Sequence, residues 1–106
     1  MIKEYKHFKK GYYVSNYGKV KRVRNNKKYD VKLLISEKGY YYFILLNNDN
    51  ERKYLHRAIA EIFLPKVKGK NIVDHIDGNR KNNNVLNFRW VSTSENSLNR
   101  KCHRNY

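Results

Sequence analysis

The chain has 106 residues, with 24 Lys and Arg against 9 Asp and Glu and a formal net charge of +15. That length suits one domain with a modest core, and that charge selects a polyanion as partner, nucleic acid before an anionic membrane. The lone Cys102 excludes an internal disulfide and a thiolate-held structural zinc; no apolar run approaches the roughly 20 residues of a membrane span, and Lys3, Lys6, Lys9 and Lys10 break any signal-peptide pattern. The expected setting is therefore reducing and intracellular, without secretion or a membrane.

Residues 1–10 are basic and read as a loose terminus. Tyr12 to Ser15 reads as a strand, Asn16-Tyr17-Gly18 as a turn, and Lys19 to Arg24 as a second strand. Asn25 to Lys28 is expected as a turn and Val31 to Ile35 as a third short strand. Tyr40 to Leu46 is aromatic and β-branched, so it reads as a strong strand, with Asn47 to Asn50 as its hairpin turn and Glu51 to Leu55 as its partner. From Leu55 the apolar period becomes helical through Ile59, Ile62 and Phe63, and Pro65 stops the helix near Leu64. Ile72 to Ile76 is a strand, Asn87 to Val91 another, and Ser92-Thr93-Ser94-Glu95 fits a capping box that opens a helix running to about His103.

This last unit concentrates the chemistry. A hairpin with a helix across it brings Asp74, His75, Asn87 and Asn96 toward one spot. Asp and Asn side chains are hard oxygen donors, which suit Mg²⁺ or Mn²⁺ better than Zn²⁺, and Mg²⁺ keeps waters and leans on substrate phosphates. His75 titrates near neutrality and serves as a general base. The pattern points to metal-assisted cleavage of a phosphodiester. Strand alternation would turn Asp74 and His75 to opposite faces, so they share a site only if the strand ends or bends there. Phe88, Trp90 and Val91 read as core, His56 as packing, Asp77-Gly78-Asn79 as a turn, and Asn82 to Asn84 as loop residues.

The ordered text Val73-Asp74-His75-Ile76-Asp77-Gly78-Asn79, then Asn87-Phe88-Arg89-Trp90-Val91-Ser92, then Ser94-Glu95-Asn96 resembles the HNH (His-Me finger) endonucleases, in their phage and intron homing branch. Gly11 to Val20 resembles the nuclease-associated modular segment that often precedes this motif, and Leu55 to Phe63 resembles the helix joining the two. The third motif position, His in many members, is Asn96 here, a departure found in the homing branch. The resemblance implies an α+β fold. A small antiparallel N-terminal β-sheet over 1–54 grips DNA, and 55–106 holds the connecting helix and a ββα-metal nuclease unit, all in one compact domain. It implies a single divalent ion, Mg²⁺ or Mn²⁺, on Asp74 and Asn96, with His75 as base and Asn87 orienting it. It also implies 5′-phosphate and 3′-hydroxyl products, a monomer or homodimer, no small-molecule cofactor, and a phage or viral gene.

Lys19, Lys21, Arg22, Arg24, Lys27, Lys28 and Lys32 are nearly free of acidic neighbours, and with Arg57 and Arg89 they form the expected contact set for double-stranded DNA. Two rival classes share the charge: a DNA-binding module of the same fold without cleavage, and a small basic RNA-binding protein. The second leaves the capped helix and the Asp-His hairpin unexplained.

Overall fold

The computed structural model describes residues 2–46 and 50–97. Four strands come first, β1 (Tyr5–Lys9), β2 (Tyr12–Ser15), β3 (Val20–Arg24) and β4 (Lys27–Asp30), paired antiparallel in chain order. Alternation sends Tyr12 and Val14 of β2 inward, and Val14 faces Val20 across the ladder. A second antiparallel sheet holds β5 (Leu34–Ile35), β6 (Tyr41–Leu45) and β7 (Glu51–Tyr54), with Phe43 and Leu45 pointing inward. The two sheets meet where Tyr12 and Phe8 pack on Phe43, with ring centroids 6.1 and 6.2 Å apart. The Tyr12 hydroxyl accepts from the Leu46 amide at 2.8 Å, which ties the sheets through a polar bond as well.

Helix α1 (Leu55–Phe63) follows β7 directly. It has no side-chain cap, no acid in its first turn and no base in its last. Its stability therefore comes from the buried stripe of Leu55, Ala58, Ile59 and Ala60. Leu64 is already extended, as the residue before Pro65 must be, and its amide still reaches Ala60 O at 2.9 Å. Strands β8 (Ile72–His75) and β9 (Phe88–Val91) form the third antiparallel pair, and residues 93–97 are helical. The capping box is formed: Ser92 Oγ accepts from the Glu95 amide at 3.2 Å and Glu95 Oε1 accepts from the Ser92 amide at 3.1 Å. One apolar core joins all three sheets and α1, with Val73, Phe88 and Trp90 contributed by the last pair.

Several expectations change. The loose terminus is strand β1 from Tyr5 onward, because pairing with β2 and the packing of Phe8 outweigh its local charge. The Asn16 side chain secures that segment, donating to Ile2 O at 2.8 Å and accepting from the Glu4 amide at 3.1 Å. The turn expected over 25–28 is only Asn25-Asn26, both at positive φ, the two-residue geometry that fits a hairpin's twist. Lys27–Asp30 is then a strand exposed along its length, so no apolar alternation marks it. The strand expected over 31–35 shrinks to Leu34–Ile35, and the N-terminal region holds two sheets instead of one. Most of the expected turn at 47–50 lies outside the described residues, as do the expected helix end near His103 and Cys102.

Phe43 is fully buried at the junction of the two sheets. Phe43→Ala is expected to cost about 3–5 kcal/mol, read as a lowered urea midpoint at unchanged m-value.

Candidate active site

Strand β8 ends at His75, and that ending lets adjacent residues share a site. Asp74, His75 and Asn96 line one cleft of about 590 Å³, together with Tyr40, His56 and Arg80 among others. Asp74 and His75 are buried, and Arg89, opposite Asp74 in the ladder, bonds its Oδ2 through Nε at 3.1 Å.

His75 is held by Asn83. Its Nε2 lies 3.1 Å from Asn83 Oδ1, while Asn83 Nδ2 donates to Arg80 O at 3.4 Å. With the amide nitrogen directed at a carbonyl, Asn83 presents its oxygen to the ring. Nε2 therefore carries the proton, and Nδ1 keeps the lone pair of the neutral imidazole. Burial lowers the His75 pKa, and the Arg80 charge adds to this. The Asn83 bond and the carboxylates of Asp74 and Asp77 oppose it without reversing it.

Asn87 is buried, and its side-chain hydrogen bonds go to the loop between the strands, the loop whose Asn83 contacts His75 directly. Asn87 Nδ2 donates to Asp77 Oδ1 at 2.9 Å and to Asn82 O at 3.1 Å, and Oδ1 accepts from the Asp77 amide at 3.1 Å. Asp77 also accepts from Asn82 and from the Asn79 amide, and these bonds hold its carboxyl below the usual range. Three consecutive asparagines thus do three different things. Asn82 bonds Asp77, Asn83 holds His75, and Asn84 caps the short 3₁₀ turn at Val85–Asn87 by accepting from the Leu86 amide. No local signal in the run of identical residues marks this division.

His56 and Phe88, expected as packing and core residues, form with Tyr40 an aromatic wall behind His75, and only the part played by Tyr40 was missed. His56 stacks on Tyr40 with centroids 5.0 Å apart and lies 5.0 Å from the His75 ring, and Phe88 meets His75 edge-on at 5.1 Å. Burial, with the charges of His75 and Arg57, pushes the His56 pKa down to about 3, and its Nδ1 is buried without a hydrogen-bond partner. The Tyr40-Tyr41-Tyr42 run looked like strand composition alone.

The basic set divides. Lys19, Arg24, Lys27, Lys28 and Lys32 are exposed, and Lys21 and Arg22 lie over the rings of Tyr5 and Tyr12. None of these seven makes an ion pair among the described residues. Arg57 bonds Glu61 and Asn71 O, and Arg89 bonds Asp74, so both are engaged within the fold.

The donor chemistry fits a divalent ion of the oxygen-seeking kind. Asp74 and Asn96 reach one cleft, and among the described residues no group of three or more His, Cys, Asp and Glu gathers as a zinc site would require.

Residues 53–98 match the family model described as HNH endonuclease. This chain carries an HNH endonuclease family domain. An uncharacterized HNH endonuclease of Acanthamoeba polyphaga mimivirus is 36% identical over 87 residues, covering 81% of this chain and 26% of that protein. The DNA endonuclease I-HmuI of Bacillus phage SP01 is 33% identical over 91 residues, covering 85% of this chain and 51% of the phage protein. A solved structure concerned with DNA binding and cleavage by the HNH homing endonuclease I-HmuI matches with a TM-score of 0.80 at 31% identity, over 97% of this chain and 60% of that one. The chain thus spans about a quarter of the mimivirus relative and half of the phage relative. The HNH model takes in α1, β8, the Asn-rich loop and β9, and the structural match extends over the N-terminal sheets as well. Among the described residues no helix is long and apolar enough to cross a membrane.

His56 makes an acid prediction. Above pH 6.5 it is neutral folded and unfolded and contributes nothing to the pH dependence. As pH falls from 6.5 toward about 3, the unfolded chain takes up a proton that folded His56 refuses, so stability drops. The drop from this group is at most about 1.4 kcal/mol per pH unit. His56→Phe should flatten the fall in urea midpoint between pH 6.5 and 5, leaving the part due to His75.

Proposed function

We propose that this chain is a homing-type HNH endonuclease that hydrolyses a phosphodiester of double-stranded DNA inside a host cell, with one divalent ion and His75 as general base. The observation that carries this reading is the convergence of Asp74, His75 and Asn96 on one cleft, with the His75 tautomer set by Asn83. Region 1–54 grips the duplex and region 55–106 cuts it.

Asp74 and Asn96 would hold Mg²⁺ or Mn²⁺. When bound, the ion supplies Lewis-acid stabilisation of charge at the phosphate. The remaining chemistry belongs to the chain. Burial keeps His75 neutral at physiological pH, and Nδ1 takes the proton of the attacking water. The water oxygen bonds to phosphorus as the P–O3′ bond breaks, and the departing O3′ takes a proton from solvent water, leaving a 5′-phosphate and a 3′-hydroxyl. Asn83 holds the ring in register for this transfer, and Asn87 acts at one remove by closing the loop that carries Asn83. Edge strand β4 and the tip of the β3–β4 hairpin present Arg24, Lys27 and Lys28 at the exposed end of the first sheet, a two-stranded turn of the kind a major groove admits. Arg57 and Arg89 would reach phosphate only from the rim, since internal bonds fix both. One site per chain nicks one strand, and a homodimer would cut both.

The test is nicking of supercoiled plasmid of varied sequence with Mg²⁺, with Mn²⁺ and with EDTA. Wild type is expected to relax the plasmid only with metal, and His75→Ala to lose about 10²–10⁴ in rate. Binding without cutting in either metal would make the chain a DNA-binding module, and equal cutting by His75→Ala would remove His75 from the reaction. Asn83→Ala should lower the rate at unchanged DNA affinity. Lys27→Ala with Lys28→Ala should instead weaken binding and reduce the salt slope by about 1 for each phosphate no longer neutralised.

A further inference from the structure

Arg80 is a cation lining the cleft that is immobilised without a carboxylate. It comes from the loop between β8 and β9, and its guanidinium lies over the Tyr40 ring at 4.6 Å. One of its terminal nitrogens donates to the Lys38 carbonyl, from the turn that precedes Tyr40. That turn is itself fixed: Ser36 Oγ accepts from the Tyr40 amide at 3.1 Å, and the Ser36 amide donates to Tyr40 O at 2.8 Å. Tyr40 is wedged between His56 and Tyr54, with centroids 5.0 and 5.8 Å away, and its ring lies 6.0 Å from that of His75. The Gly39 backbone lies against the Arg80 stem, where a Cβ would meet Cδ at 3.9 Å.

An exposed arginine ordinarily samples many rotamers. This one is stacked on one side and tethered at one nitrogen, and no ion pair with a carboxylate forms among the described residues. A guanidinium has five N–H donors, and a single carbonyl leaves the others for an oxyanion. Its fork matches two oxygens of a phosphate, and a side chain already ordered loses less entropy on binding one. The same cleft carries Asp74, His75 and Asn96.

We propose that Arg80 is a substrate-positioning residue that grips a phosphate of the strand being cut, at or beside the scissile one, using the guanidinium donors that Lys38 leaves free. The proposal rests on the nuclease reading. It adds a third hold on the substrate, made by a loop that leans on the N-terminal region.

The decisive experiment combines neutral-phosphate interference with variants. Binding is measured in EDTA to a duplex carrying one methylphosphonate at a time across the bound footprint, for wild type, Arg80→Ala and Arg80→Lys. Wild type is expected to lose affinity at a set of positions, and Arg80→Ala to become indifferent to one of them while keeping the rest. The position of that phosphate relative to the mapped nick separates the scissile phosphate from its neighbour. In nicking, Arg80→Ala should fall roughly 10- to 100-fold. Arg80→Lys should recover only part, because it restores charge without the fork. Tyr40→Phe keeps the ring under Arg80 and should leave the interference pattern unchanged, with thermal unfolding reporting any damage to the loop. An Arg80→Ala pattern identical to wild type at every phosphate overturns the proposal and leaves Arg80 as a strap between loops. Because the binding arm needs no cleavage, wild type that never nicks would sink the nuclease reading while the fate of Arg80 is still decided.

Discussion

The Asn87 amide is the constraint on which the site depends. From a buried position it bonds the Asp77 amide, the Asp77 carboxylate and the Asn82 carbonyl. A single polar side chain thereby satisfies groups along a loop that has no sheet or long helix of its own to pair them. The loop then returns Asn83 to His75. A carboxylate at 87 would lack the donor and an apolar residue of similar size both donor and acceptor, and the Asp77 and Asn82 groups would be left to water. The requirement for asparagine is thus one of hydrogen-bond satisfaction, and its effect is felt at His75.

Two electrostatic regimes coexist in one small chain. The His75 ring is buried against His56 and Phe88, and that burial favours the uncharged imidazole. At the tip of the β3–β4 hairpin Arg24, Lys27 and Lys28 stand in solvent, without ion-pair partners among the described residues, where water stabilises their charge and a polyanion can reach it. The core between them, built from β2, β6, α1 and the last strand pair, separates these regimes while fixing their relative placement.

The sequence was most legible where one physical signal dominated. The helical period and Pro65 bounded α1, and the box of Ser92 and Glu95 opened the last helix as written. Asp74, His75 and Asn96 were legible as a group because their order and residue types together are distinctive, and the structure brings them to one cleft. What was hidden depended on partners distant in the chain. Lys27–Asp30 is exposed along its length, so only cross-strand pairing makes it a strand. Tyr40 and Arg80 stand far apart in numbering and meet only after folding. Asn83 is flanked by identical residues, and its distinction is purely geometric.

The turn at Asn16–Gly18 belongs to the first sheet, yet it abuts the loop of the last unit. The Asn16 carbonyl accepts from the Val85 amide at 2.9 Å, and Gly18, at φ +91°, sits so close that a Cβ there would lie 3.2 Å from the Asn83 carbonyl oxygen. The residue that holds His75 is therefore buttressed from outside the segment that matches the family model. Recombination within such a chain is not free to swap front ends. Any N-terminal segment exchanged for this one must bring its own tight, side-chain-free turn to the same place, so the placement of His75 is tied to the shape of one glycine.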